Sequence, residues 1–271
     1  MLKFFLAIFL TLAAVFPPAE ASSTASADRS AARLFQASTS DGAWTAGIEI
    51  KLADGWKTYW RIPGDSGVPP QFDWSKSTNL KSVTIGWPAP RRYHDAAGET
   101  IGYTTRVVFP LHIEPVDSAK PVDAVVSLFY AVCKDICIPV ETDLALEFSP
   151  SPQPSPSDKM LLDSFAARIP AASSSSMIPA IQALRLARLA EGHVLEVTLK
   201  DSLPSKITDI FVEGYPKAYF RRPAPAQPGP VASAFHLTVD GLDNAAELRG
   251  KQLTVTVVSG AASLVQSLTV E

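Results

Sequence analysis

The sequence predicts an all-β protein of two β-sandwiches joined by a short helical linker. Three observations lead there. Short runs of alternating apolar and polar residues recur, as in Trp44 to Leu52 and Leu253 to Val257, each bounded by Gly, Pro or Asp-Gly turn signals. A helical pattern at Leu161, Leu162, Phe165 and Ile169 is closed by Pro170. That helix lies between a Pro/Ser run, Ser149 to Pro156, and Ser173 to Ser176, stretches that bury little apolar surface. The predicted units are 33–148 and 180–271, with 149–179 as linker and helix.

The chain opens with Lys3, an apolar run from Phe4 to Phe16 and Ala19-Glu20-Ala21. This reads as a signal peptide over 1–21. The apolar run is too short to span a bilayer, so an exported, soluble protein without stable membrane insertion is expected. Residues 22–32, rich in Ser and Ala, are expected to be disordered. From Leu34 the pattern becomes strand-like, with Trp44, Ala46, Ile48, Ile50 and Leu52 on one face and Asp54-Gly55 as a turn. Trp56 to Trp60 is an aromatic strand. It leads into the Pro/Gly-punctuated stretch Arg61 to Pro70, either a sandwich connection or a partner-facing loop. Val83 to Trp87 is a short strand stopped by Pro88-Ala89-Pro90. Arg91 to Gly102 reads as a polar surface loop, and Tyr103 to Ile113 as a further strand. Ala124 to Val132 is apolar on both faces, as in a central strand, and Leu144, Leu146 and Phe148 complete the first unit. In the second unit, strands fall at Leu195 to Leu199, Phe235 to Val239 and Leu253 to Val257. Ser157 is the expected helix cap, and Arg221-Arg222-Pro223 reads as a solvated surface feature.

Charge and composition exclude several functions. The 271 residues carry 24 Lys and Arg against 27 Asp and Glu, a net charge of −3, and removing 1–21 takes one charge of each sign. No basic excess points to nucleic acid or an anionic membrane. The four histidines are scattered without metal-ligand spacing to the cysteines, so no metal and no cofactor is expected.

The chemistry concentrates in Phe129-Tyr130-Ala131-Val132-Cys133-Lys134-Asp135-Ile136-Cys137-Ile138-Pro139-Val140-Glu141, which holds both cysteines. On one continuous strand Cys133 and Cys137 would share a face about 13 Å apart, too far for a bridge. A helix would bring them together, but Ile138-Pro139 and the β-branched flanks oppose one. A hairpin is left, with Lys134-Asp135-Ile136 as the loop and the sulfurs facing each other at its mouth. Closing so small a ring restricts the unfolded chain by only about 2 kcal/mol, and a chain of this size hardly needs that staple. Two readings stay open: a structural bridge, and a redox pair cycling between dithiol and disulfide. The second is favoured, with Lys134 promoting the thiolate of its neighbour Cys133.

Gly55-Trp56-Lys57-Thr58-Tyr59-Trp60, Pro63-Gly64-Asp65-Ser66-Gly67, Trp87-Pro88-Ala89-Pro90 and Val132-Cys133-Lys134-Asp135-Ile136-Cys137-Ile138-Pro139 together resemble the N-terminal periplasmic domain of the DsbD/ScsB family of transmembrane thiol:disulfide reductases. The likeness covers about 33–148; residues 149–271 resemble, less specifically, the second β-domain of ScsB-like proteins. The resemblance implies an immunoglobulin-like sandwich with Cys133 and Cys137 as the redox pair. It also implies that Cys137 forms the mixed disulfide with partners and Cys133 resolves it. A cap loop shields the pair in the family, and Tyr93 to Tyr103 occupies the matching place, with Asp95, Gly98 and Tyr103 at similar positions. Two departures stand out. Ala96 and Ala97 replace aromatic cap residues, and the cysteine loop is two residues shorter than in DsbD, as suits the ScsB-like branch. With no transmembrane segment and no thioredoxin domain in this sequence, the implied partners are a membrane thiol reductase and periplasmic thioredoxin-like proteins.

The reading reached from sequence is therefore a monomeric periplasmic thiol–disulfide exchange module. Cys133 and Cys137 are its reactive pair, Lys134 favours the thiolate, and Asp95 assists proton transfer or loop positioning. Competing with it are a copper(I)-binding module, since paired thiolates suit a soft ion, and a structural interaction sandwich with a hairpin bridge.

Overall fold

In the computed structural model the alternating runs become four antiparallel sheets. The structure describes residues 22–40, 43–65, 67–95, 98–149, 151, 155–172, 178–189, 192–204, 209–227 and 231–271. The expected signal peptide, 1–21, lies outside them. The first half runs β1 (Thr24–Ala27), β2 (Ser30–Ser40), β3 (Ala43–Leu52), β4 (Lys57–Gly64), β5 (Gln71–Asp73), β6 (Leu80–Ile85), β7 (Arg91–Asp95), β8 (Gly98–Thr104), β9 (Arg106–Pro115), β10 (Val122–Cys133) and β11 (Cys137–Phe148). Helix α1 (Pro156–Ala166) follows. The second half runs β12 (Ile181–Leu189), β13 (Gly192–Pro204), β14 (Asp209–Glu213), β15 (Tyr219–Phe220), β16 (Ala224–Pro225), β17 (Val231–Asp240), β18 (Gln252–Ser259) and β19 (Ala262–Thr269).

In the first sandwich, the sheet β1-β2-β3-β9-β6 faces the sheet β11-β10-β4-β8-β7, with β5 also paired to β10. Trp44, Trp60, Phe109, Leu128, Tyr130 and Phe148 lie in the shared core, fully buried. In the second, β12-β13-β17-β15, with β16 on β17, faces β14-β18-β19 around Leu195, Val197, Leu237, Val255 and Val257. The architecture is an immunoglobulin-like sandwich, a short helix and a second, smaller sandwich, as the sequence predicts. Phe211 of β14 joins the first core, so the two halves share apolar packing.

Several expectations are corrected. Residues 22–32, expected to be disordered, hold β1 and the start of β2, which pair from Thr24↔Arg33 to Ala27↔Ser30. Ser22 also accepts from the Ala145 N–H at 3.0 Å. Small polar residues suit such an edge, where the ladder satisfies the backbone without apolar side chains. Arg91 to Gly102, expected as a loop, is largely the β7–β8 hairpin. Its buried face is polar because Arg92 and Glu99 are paired there rather than solvated. The strand expected over Tyr103 to Ile113 is divided by Thr105, whose φ of 64° breaks the run between β8 and β9. Helix α1 begins two residues earlier than expected, with Ser155 rather than Ser157 at the N-cap and Pro156 in the first turn, where its missing N–H is harmless. Arg221-Arg222 is at the surface as expected, with Arg221 also bridging Asp65 and Asp240 there.

Candidate functional site

Strand β10 delivers the site. It lies between β11 and the pair β4 and β5. Burial alternates along it from Val122 to Phe129, and from Tyr130 to Cys133 every residue is enclosed. The hairpin to β11 turns on Lys134, Asp135 and Ile136, with the Lys134 N–H donating to the Ile136 carbonyl at 3.1 Å. Cys133 and Cys137 stand directly opposite, bonded as a disulfide with Cα atoms 4.1 Å apart. Because Lys134 and Ile136 form the hydrogen-bonded pair, the next pair outward is the close, non-hydrogen-bonded kind. The N–H and C=O of Cys137 therefore face away from β10, toward the outer side of edge strand β11. Pro139, two residues on, has the same phase, so its missing N–H costs the β10–β11 ladder nothing.

The two sulfurs have different surroundings. Cys133 is 7% exposed and packs with Tyr59 and Ala131, while Cys137 is exposed. Strand β4 closes the other flank, with Lys57 opposite Cys133 and Thr58 opposite Val132. Thr58 and Trp60 face inward, and the Thr58 hydroxyl donates to the Ala131 carbonyl at 2.9 Å. Lys57 and Tyr59 therefore share the cysteine face. The Tyr59 hydroxyl lies 3.2 Å from Cys137 Sγ and is the donor, since a bonded sulfur carries no proton. Gly67 lies against the Tyr59 ring so closely that a Cβ there would sit 2.5 Å from it. The Pro/Gly-punctuated stretch after β4 thus covers Tyr59, and Tyr59 covers Cys133.

The other sequence-predicted site residues are placed as follows. Lys134 is exposed, and its side chain folds back over the Asp54-Gly55 turn, where Gly55 has φ of 80°. Asp95 pairs with Gly98 at the β7–β8 turn; its side chain and Ala96-Ala97 lie outside the described residues. By register that turn belongs to the Gly64 end of β4, since Gly64 pairs with Thr100 whereas Lys57, beside Cys133, pairs with Thr104. Tyr103 is a core residue rather than a cap. It is buried, donates to the Pro88 carbonyl at 2.7 Å, meets Phe109 edge-on, and burial pushes its pKa well above the ordinary value.

Tyr59 was not singled out from sequence. The available signal was its phase in the strand Trp56 to Trp60, but which face looks onto the hairpin depends on β4 pairing with β10, a contact between residues about 75 positions apart. A cavity of about 590 Å³ lies beside α1 and β9, lined by Trp87, Leu111, Leu162 and Ile169 among others and by neither cysteine. Among the described residues no group of three His, Cys, Asp or Glu side chains is placed to hold a metal ion. No helix among them is long and apolar enough to cross a membrane.

Both halves of the chain are similar to known families. The model of "Thiol:disulfide interchange protein DsbD, N-terminal" matches residues 27–149, and a domain of unknown function, DUF8393, matches 168–271. The N-terminal periplasmic domain of ScsB from Proteus mirabilis superposes with a TM-score of 0.70 at 25% identity, over 90% of this chain and 94% of that one. The reduced N-terminal domain of DsbD from Neisseria meningitidis aligns with 46% of this chain and 90% of its own at 13% identity, with a TM-score of 0.29. No curated protein matches the sequence. Residues 27–149, which carry the cysteine hairpin, are thus similar to the N-terminal domain of thiol:disulfide interchange protein DsbD.

Proposed function

We propose that this protein is a periplasmic thiol–disulfide exchange module that relays electrons through Cys133 and Cys137. The observation that carries the proposal is the asymmetry of the pair: one sulfur exposed at an edge, its partner buried beneath Tyr59. Exchange needs an outer sulfur that another protein reaches and an inner one that closes the ring. In the reducing direction the Cys137 thiolate attacks a partner disulfide. A Cys137–partner bond forms, the partner's own S–S bond breaks, and one partner thiolate leaves. The Cys133 thiolate then attacks Cys137 Sγ, restoring the internal disulfide and releasing the partner's second thiolate. Two electrons have passed to the partner, and a thiol reductase must return them.

The outward N–H and C=O of Cys137 support docking of an extended partner segment along β11, the mode by which thioredoxin-like proteins would present a disulfide. Lys134 adds positive charge at the hairpin mouth and favours the thiolate. Asp95, at the β7–β8 turn and at the far end of β4 from Cys133, is assigned to setting that hairpin's position rather than to proton transfer. The segment 1–21 directs export.

Trapping tests the proposal. Cys133→Ala removes the internal attacker and is expected to accumulate a reductant-sensitive adduct with a thioredoxin-like protein on non-reducing gels of periplasmic extract. Cys137→Ala is expected to accumulate little. Equal trapping by both variants overturns the assignment of roles, and no adduct from either overturns the relay.

A further inference from the structure

We infer that the second sandwich is a positioning platform for the cysteine pair, acting through β4 and the Tyr59 hydroxyl; the inference rests on the thiol-exchange reading above. Three consecutive residues of β4 carry it. Tyr59 reaches Cys137 Sγ at 3.2 Å. Trp60 packs on Phe211 with ring centroids 5.5 Å apart. Arg61 donates twice to the Glu213 carboxylate, each bond 2.7 Å long. One residue of the strand thus serves the sulfur and the next two grip β14 of the other sandwich.

The face of β14 that receives them is specialised. In Asp209-Ile210-Phe211-Val212-Glu213, Ile210 and Val212 point into the second core. Asp209, Phe211 and Glu213, on the opposite phase, face the first sandwich. Asp209 takes Arg92 Nε at 3.1 Å, and Arg92 is 1% exposed by side chain and also pairs with Glu99. Tyr219 of β15 donates to Glu99 as well. Burial alone would lower the Arg92 pKa, but Asp209 and Glu99 outweigh it and hold the guanidinium charged. Arg92 and Glu99 belong to β7 and β8, and β8 is the strand that pairs with Tyr59 through Gly102. The platform therefore holds β4 directly and through its neighbour.

Such a cluster suits positioning better than bulk adhesion. Charges buried this deeply lose about as much in desolvation as they gain by pairing, whereas breaking the pair leaves an uncompensated charge, so the geometry is held to one arrangement. A hydrogen bond to a thiolate depends on the distance and angle at which the donor is held. A small slide of β4 would cost Cys137 its donor.

The test reads the thiolate itself. In full-length Cys133→Ala protein Cys137 is the sole thiol, and its iodoacetamide alkylation rate against pH gives its pKa. Tyr59→Phe is expected to raise that pKa by roughly one unit and to slow alkylation about tenfold below it, as loss of one charge-assisted hydrogen bond does. Asp209→Asn with Glu213→Gln is expected to shift the pKa in the same direction, and to add nothing once Tyr59→Phe is present. Phe211→Leu provides a second route if the charge-removed protein does not fold. An unchanged pKa in folded platform variants, or an equal shift with and without the Tyr59 hydroxyl, overturns the inference. Exchange of the unaltered protein with glutathione disulfide is measured alongside: its absence removes the exchange reading, while the pKa series judges the platform separately.

Discussion

Cys133 and Cys137 stand opposite each other across one hairpin, yet the first is buried against Tyr59 and Ala131 and the second is open to solvent. The difference follows from strand position. β10 is flanked on both sides, whereas β11 is an edge. After mild dithiol treatment without denaturant, a limiting amount of alkylating reagent is expected to modify Cys137 several-fold faster than Cys133, with peptide mapping as the readout. Equal rates, or labelling that needs denaturant, would contradict the division of roles.

At Gly102 β8 passes close against β4. A Cβ there would lie 1.9 Å from the Thr58 carbonyl oxygen, a clash with backbone that no rotamer relieves. Gly102→Ala is expected to cost more than about 2 kcal/mol. That corresponds to a melting temperature lowered by at least about 5 °C. Gly192→Ala gives the comparison, since a Cβ at Gly192 meets nothing within 4 Å and the cost there is confined to its φ of 134°.

Acid is expected to loosen the contact between the sandwiches. Burial acts to raise the Asp65 pKa, but the Glu99 N–H at 2.9 Å and the Arg221 guanidinium outweigh it, so the folded value lies below the ordinary one. A carboxylate so depressed stabilises the fold above its unfolded pKa, and the contribution disappears as pH falls through the folded value. Thermal melts from pH 7 to 3 are expected to decline below about pH 4. Asp65→Asn is expected to lower stability at pH 7 by about 0.5–1 kcal/mol and to flatten part of that decline.

Protease cleavage within 149–177, the stretch richest in proline and serine, is expected to yield two fragments that stay together. The Arg92–Asp209, Arg61–Glu213 and Asp65–Arg221 pairs join residues from either side of that stretch. Nicked protein should elute as one species on gel filtration at low salt. Two independent peaks would contradict the observed contact.

Much of the architecture was legible in sequence because it rests on local patterns. Ala46, Ile48 and Ile50 alternate and are buried, and the spacing of Cys133 and Cys137 with the following Ile-Pro leaves a hairpin as the geometry that joins them. What was illegible depends on long-range polar pairing. Arg92 and Glu99 read as solvated because nothing nearby shows that Asp209 and Tyr219 will bury them. The surface pair of Arg221 with Asp65 was illegible for the same reason, since the two lie 156 positions apart. The Ser/Ala stretch before Leu34 lacks apolar alternation, yet it forms the edge strand β1, whose pairing asks mainly for backbone, and opens β2, where Ala32 is buried.

The central claim is that the Cys133–Cys137 bridge is a working redox couple. Equilibrating the full-length protein across a series of glutathione buffers, and quantifying the dithiol by alkylation and mass spectrometry, tests it most directly. A working couple is expected to have a midpoint above about −300 mV, within reach of thiol–disulfide shuttles. A bridge that stays oxidised until the poise falls well below that value would be a structural staple and not a redox couple.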